Sequence, residues 1–374
     1  MDTPAASSLR TGVVPAHGFL GLLRKSISAH GLFFAIIAVY YAGFLMLIRV
    51  KPDLQPTNFF TLVLGFSIFS FPLMVFAVFF LRLYHVAKYI NPKRPLPVLV
   101  RDVRGYFTNA QRMAHGLPMV LIMVLFMYVF VELKASIPAL NYYSWDTTFE
   151  QADRAMHFGY APWQLLQPIF GYAPFTFLIN VNYGIWFMVM WIVWVYFAFL
   201  ERESVLRTRF FLTFFTAWII GGGIMAIWFS SVGPCFYGRF GLTPDPYAGL
   251  LAYLHQANEI LPVWALPVQD LLWDGFKGDT LVEGISAMPS MHNGTALLFI
   301  LAVMQVNRKM AWILAVHGAL IFIGSVHLAW HYAVDGYVAA ALVLVLWWAM
   351  APVARWWHGQ VAQTDFAEAL EGRA

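Results

Sequence analysis

Cysteine is almost missing from this chain. Cys235 is the only one in 374 residues, so no disulfide framework can form within it. Charge is scarce as well. Asp, Glu, Lys and Arg together make up 11% of the residues, against 60% hydrophobic ones. A soluble domain carries about a quarter charged and about half apolar residues. With a mean hydropathy of +0.67, these proportions exclude a soluble enzyme with a single anchor and point to a polytopic membrane protein. The formal charge of +4 is small, and the basic residues are dispersed among loops, which excludes a nucleic-acid-binding stripe. Neither an internal repeat nor a low-complexity tract is present. The first apolar run is too long for a secretory signal and no small-residue cleavage site follows it, so it reads as a first transmembrane helix.

A membrane-crossing helix needs about 20 mostly apolar residues. Eight runs qualify, at 32–50, 58–83, 116–133, 175–199, 209–231, 288–306, 311–330 and 334–352. "NRKM" at 307–310 reads as a tight turn between the sixth and seventh. The expected fold class is an all-α integral membrane protein of about eight transmembrane helices, with a six-helix bundle formed by the last six. Residues 1–115 make an amino-terminal two-helix extension with a basic loop, and residues 116–374 the six-helix domain that carries the chemistry. Two outer segments, 134–174 and 232–287, mix aromatic and apolar residues with acids and read as helices lying in the membrane interface.

Loop charge sets the expected orientation. Seventeen of the 23 Lys and Arg residues, among them Arg10, the group from Arg82 to Arg112, Arg202 and Arg373, fall in segments on one side. The other six are Arg49, Lys51, Lys134, Arg154, Arg239 and Lys277. This bias puts both termini in the cytoplasm.

Two stretches then meet at the outer rim: "GISAMPSMHNG" at 284–294 and "HLAWHYAVDG" at 327–336. Titratable groups are costly in such apolar surroundings. His327, His331 and Asp335 are spaced by four, which on a helix places them on one face. A carboxylate beside an imidazole fixes its tautomer and leaves the other ring nitrogen free to attack. His292, from another helix, can face that nitrogen across a substrate. Amides at the start of the sixth span, after Pro289, offer an anion site, and Ser290 adds a hydroxyl. Positioning and donors for nonbridging oxygens are what phosphoryl transfer requires.

"AMPSMH" followed by "HYAVD" resembles the second and third signature blocks of the type 2 phosphatidic acid phosphatase superfamily, in the variant of the inositol phosphorylceramide synthase branch. "DRAMHFGYAPWQLLQPIFG" is similar to the upstream outer segment of bacterial members. The resemblance implies a membrane phosphoesterase or phosphotransferase, inositolphosphotransferase-like, without cofactor or metal. It would act on a phospholipid, sphingolipid or polyprenyl-phosphate substrate at the outer, periplasmic face of a bacterial inner membrane. It makes His331 the nucleophile that becomes a phosphohistidine and Asp335 its orienting carboxylate. His292 becomes the group that protonates the leaving oxygen and later activates the acceptor, and Ser290 a phosphate ligand. Two departures stand out. The best-known members carry a first block of lysine, six residues, then arginine-proline; "KYINPKRP" at 88–95 has the wrong spacing and lies on the cytoplasmic side. Near the outer end of the fifth span only Arg239 is available as a phosphate ligand. The family's arginine six positions before the histidine is Ser325 here.

Other readings compete. His292, His327, His331 and Asp335 would make a zinc set for a membrane hydrolase, although Asp335 suits an orienting role at least as well. A proton-coupled transporter would place its polar groups near the bilayer middle and show an inverted repeat, whereas these cluster at one rim. His327 reads as a supporting or interfacial residue, Asp153 and His157 as interfacial, and mid-span His317 as bonded to a neighbouring helix.

Overall fold

Short polar side chains set where the long apolar helices begin. The computed structural model describes residues 18–52, 54, 56–200, 204–278 and 284–371, and every element among them is helical. These are α1 (Phe19–Ala29), α2 (Gly31–Val50), α3 (Phe59–His85), α4 (Pro95–Thr108), α5 (Ala110–Ala135), α6 (Asp146–Met156), α7 (Pro162–Phe170), α8 (Ala173–Gly184) and α9 (Trp186–Ala198). Then follow α10 (Val205–Ala217), α11 (Ala248–Ile260), α12 (Ala265–Phe276), α13 (Met291–Met304), α14 (Arg308–His327), α15 (Ala333–His358) and α16 (Val361–Glu371), with shorter turns between. Asn58 accepts from the amides of Phe60 and Thr61 to open α3, Asn109 from Arg112 to open α5, and Asn307 from Met310 to open α14. Each satisfies an amide that the helix itself leaves unpaired. The expected turn at "NRKM" is thus one capping asparagine, with Arg308 already helical.

Seven helical stretches among the described residues are long and apolar enough to cross a membrane: α2, α3 extended to Ile90, α5, α8 with α9, α10 extended to Trp228, α14 and α15. The chain is an all-α integral membrane protein. The sixth expected span, 288–306, is shorter than its apolar run. Helix α13 has 14 residues, about 21 Å at 1.5 Å per residue, against about 30 Å of hydrocarbon. Pro289 supplies no amide and disfavours helix in the residue before it. The backbone of 284–290 instead pairs sideways, with the amide of Ala287 donating to the carbonyl of Ser231 at 3.0 Å. Arg10, Arg202 and Arg373 lie outside the described residues.

Large aromatic side chains fill the bundle. Trp186, Trp191, Trp194, Phe210, Phe211, Phe214 and Phe215 are fully buried. Lipid is as apolar as these side chains, so close packing rather than water exclusion holds the helices together. At Gly221–Gly223 the helix after α10 loosens into a π-helix. A Cβ on Gly222 would stand 2.7 Å from the Phe130 ring, so glycine is what lets that ring pack against the backbone. At the end of the bundle opposite His331, Arg207 is buried but served. It donates to the carbonyls of Phe197 at 2.9 Å and His115 at 3.1 Å and contacts His30 Nε2 at 3.0 Å. His317 meets Asn182 of α8 at 2.9 Å, the interhelical bond its mid-span position suggested. The amino-terminal helices pack on the rest: α1 on α5 and α16, and α3 on α9 and α5.

Candidate active site

His331 does not lie on a helix. Helix α14 ends at His327, the backbone turns through Ala329 with φ of 62°, and α15 begins at Ala333. A positive φ is uncommon for alanine; here the carbonyl of Ala329 accepts from Cys235 at 2.9 Å and the amide of His331 donates to Ser325 at 2.9 Å. So His327, His331 and Asp335 do not share one helix face, and His331 meets Asp335 because the loop folds back onto the first turn of α15.

The resulting geometry is a clamp. His331 Nδ1 lies 2.8 Å from the carbonyl of Ala287 and 3.2 Å from Asp335 Oδ2. A backbone carbonyl can only accept, so Nδ1 carries the proton and Nε2 keeps its lone pair. Nε2 has no hydrogen-bond partner among the described residues. Asp335, fully buried, also accepts from the amide of Tyr332 at 3.1 Å. The amide of Ser290 donates to the carbonyl of Asp335 at 3.1 Å, which fastens the start of α13 to the start of α15.

His292 faces this clamp. Its ring centroid lies 6.4 Å from that of His331. Tyr183 stacks on it at 4.8 Å and Trp186 tilts against it at 4.2 Å. Neither ring nitrogen is hydrogen-bonded among the described residues, so aromatic packing alone orients the ring. The two rings are thus neighbours in one site, with their planes tilted by 56° to each other.

Both rings line a cavity of about 500 Å³. Its walls are mostly aromatic and apolar, with Phe66 and Phe69 from α3, Met127 and Phe130 from α5, and Trp191 and Trp218. Among the described residues of the lining, Lys134 is the only Lys or Arg and there is no Asp or Glu.

The other three expected site residues are elsewhere. His327 is fully buried, with its Nε2 2.9 Å from Thr176 Oγ1 and its ring against Phe170 and Tyr253. This removes it from any zinc set with His292 and His331, and no group of three His, Cys, Asp or Glu side chains converges among the described residues. Ser290 is also fully buried and off the cavity wall. Its hydroxyl accepts from Asn293 at 3.0 Å, and the same amide reaches Ser325 at 3.1 Å. Ser290 and Ser325 thus brace the two blocks through Asn293. Arg239 sits in a short 3-10 turn with its guanidinium 2.6 Å from Asp270 and over Trp273, outside the cavity lining.

Two acids matter more than their composition suggested. Asp146 accepts from the amides of Val232 and Gly233 and from the Tyr332 hydroxyl at 2.7 Å. Asp153, read from the sequence as interfacial, is 1% exposed. It takes the amides of Ala333 and Val334 at 2.8 and 2.9 Å, the first two of α15. Burial pushes Asp153 up to about 6, opposed by those two amides, and pushes Asp146 up as well. One signal was present: Asp146, Glu150 and Asp153 recur at helical spacing, on one face. A solvated amphipathic helix would show the same pattern.

A family model described as the PAP2 superfamily matches residues 147–349, more than half of the chain. No curated protein and no solved structure matches it.

Proposed function

The chain belongs to the PAP2 superfamily of membrane phosphatases and phosphotransferases, and from that premise we propose that it transfers the phosphoryl or phospho-headgroup of a lipid through a phosphohistidine on His331. The observation that carries this reading is the clamp on Nδ1. A ring held as donor by Ala287 and Asp335 offers the unprotonated Nε2 to an electrophile in the cavity.

In the first step Nε2 attacks phosphorus, the bond from phosphorus to the lipid oxygen breaks, and protonated His292 gives that oxygen its proton. Asp335 stabilises the charge that develops on the His331 ring. In the second step neutral His292 takes a proton from the acceptor, whose oxygen attacks phosphorus. The phosphorus–nitrogen bond breaks and free His331 returns. Water as acceptor gives a phosphatase, and an alcohol gives a transferase. A lipid substrate, whether phospholipid, sphingolipid or polyprenyl phosphate, is supported by the aromatic walls that lead from the two histidines. We place the reaction at the outer, periplasmic face of a bacterial inner membrane on the loop-charge bias alone.

Purified protein incubated with candidate lipids, with free phosphate and new lipid species followed together, identifies substrate and acceptor. Trapping with labelled substrate under alkaline handling, which preserves phosphohistidine, then locates the label. It is expected on His331; on His292 or Ser290 it would overturn the assigned roles.

A further inference from the structure

We propose that Lys134 is the cation that holds the phosphate of the substrate, an inference that rests on the phosphoryl-transfer reading above. A transferring phosphoryl group spreads charge over its nonbridging oxygens and needs a cation or donors there. Neither signature block supplies a lysine or arginine. Ser325 occupies the position of one missing arginine, and Arg239 is engaged by Asp270 away from the cavity. Lys134, next to last in α5, lines the same cavity as His292 and His331 and brings the only ammonium among its described lining residues.

Three further observations support the assignment. No carboxylate among the described residues pairs with Lys134, and Glu132 of the same helix turns to the amide of Thr57 at 3.1 Å. A lysine at a helix end would ordinarily extend its stem to the interface. This stem lies instead against Gly284, where a Cβ would come within 3.0 Å of Lys134 Cγ and 3.3 Å of Cδ. Gly284, at φ of 107°, begins the segment that carries the Ala287 carbonyl of the clamp and leads into His292, so a side chain at 284 would contest the stem's place beside the site. Finally, an ammonium with no carboxylate partner among the described residues is costly in apolar walls, and a phosphate bound beside the two histidines removes that cost. The family match begins at residue 147. The cation therefore comes from a helix outside the matched region, from the part of the chain that also supplies Phe66, Phe69 and Phe130 to the wall.

The test uses the full chain in detergent with an aryl phosphate as substrate and orthovanadate as phosphate mimic. Lys134→Gln is expected to raise the vanadate inhibition constant and KM for the aryl phosphate on the order of 10–100-fold, the loss of one charge-assisted contact. Lys134→Arg keeps most of both, because it keeps the charge. Lys134→Met, an unbranched side chain suited to an apolar wall, serves as a second neutral variant should Lys134→Gln fold poorly, with the unliganded melting temperature as the check. Wild-type vanadate affinity and KM in a folded neutral variant would overturn the assignment and leave the phosphoryl-transfer reading standing. Failure of the wild type itself to cleave the aryl phosphate or respond to vanadate would sink both.

Discussion

A histidine presents a lone pair for attack only while its other nitrogen is held as a donor. In this protein two acceptors hold it, one backbone and one carboxylate. Asp335→Asn keeps the shape, yet its amide can present NH₂ to Nδ1 and favour the wrong tautomer. It is expected to lower turnover on the order of 10³–10⁴-fold, the scale seen when an orienting carboxylate is neutralised in a triad. His331→Ala should remove turnover further, and the double variant should be hardly worse than His331→Ala alone, since residues acting as a unit are non-additive. Additive losses would mean that Asp335 acts independently of His331. His327→Ala should retain most turnover, because that ring is bonded to Thr176 outside the cavity; a loss matching His331→Ala, in a variant that still folds, would place it in the chemistry. His331, Asp335 and His292, which the structure gathers in one place, stood out in the sequence because each lies beside a turn signal at the edge of an apolar run. The positions of His327, Ser290 and Arg239 away from the cavity lining were not readable. Spacing by four implies a shared face only if the backbone is helical, and the turn at Ala329 breaks that condition.

At the level of elements, apolar length made the crossing helices legible, while the start of α13 was set by something else. Pro289 and the sideways pairing of Ala287 keep residues 284–290 out of the helix although their composition continues the apolar run. The first turn of α15 is likewise built from a distance. Asp153 of α6 takes its two leading amides, in the same turn as Asp335, and the acidic spacing in α6 does not say which helix it serves. The partnership has a measurable pH signature. Burial raises Asp153 to about 6 in the folded protein, whereas an unfolded aspartate titrates near about 3.9. Between those values the folded state binds more protons than the unfolded one, so stability falls as pH rises. The contribution of Asp153 is therefore fully present below about pH 4 and is lost as pH rises through about 6. Asp335 and Asp146 are carboxylates buried in the same region, and His157 acts on Asp153 in the opposite sense. The expected outcome is that wild type loses stability relative to Asp153→Asn between pH 4.5 and 7, by up to roughly 2–3 kcal/mol. Thermal melts of the two proteins across that range check it. Parallel pH profiles would show that Asp153 does not titrate there.

The candidate site lies at one end of the bundle, and membrane orientation decides which leaflet that end faces. Loop charge is the sequence feature that bears on it, and orientation responds to Lys and Arg in short loops rather than to net charge. The basic group from Arg82 to Arg112 and the turn at Arg308–Lys309 lie on one side of the bundle in chain order. The segment with α11 and α12, and with it the His331 loop, follows the opposite ends of the spans. Scarce cysteine makes this testable with little engineering. Cys235 is 3% exposed, and burial pushes its thiol up, so it should stay silent to a polar maleimide; Cys235→Ser removes any remainder. In that background one cysteine replaces exposed Lys93, between α3 and α4, and in a separate protein one replaces exposed Lys277, just after α12. A membrane-impermeant maleimide applied to intact bacterial cells is expected to label the Lys277 position at once and the Lys93 position only after permeabilisation. The reverse pattern would put His331 and its cavity on the cytoplasmic side. A lipid phosphate cleaved as proposed would then have to come from the inner leaflet and its acceptor from the cytoplasm, while the clamp on His331 would be unchanged.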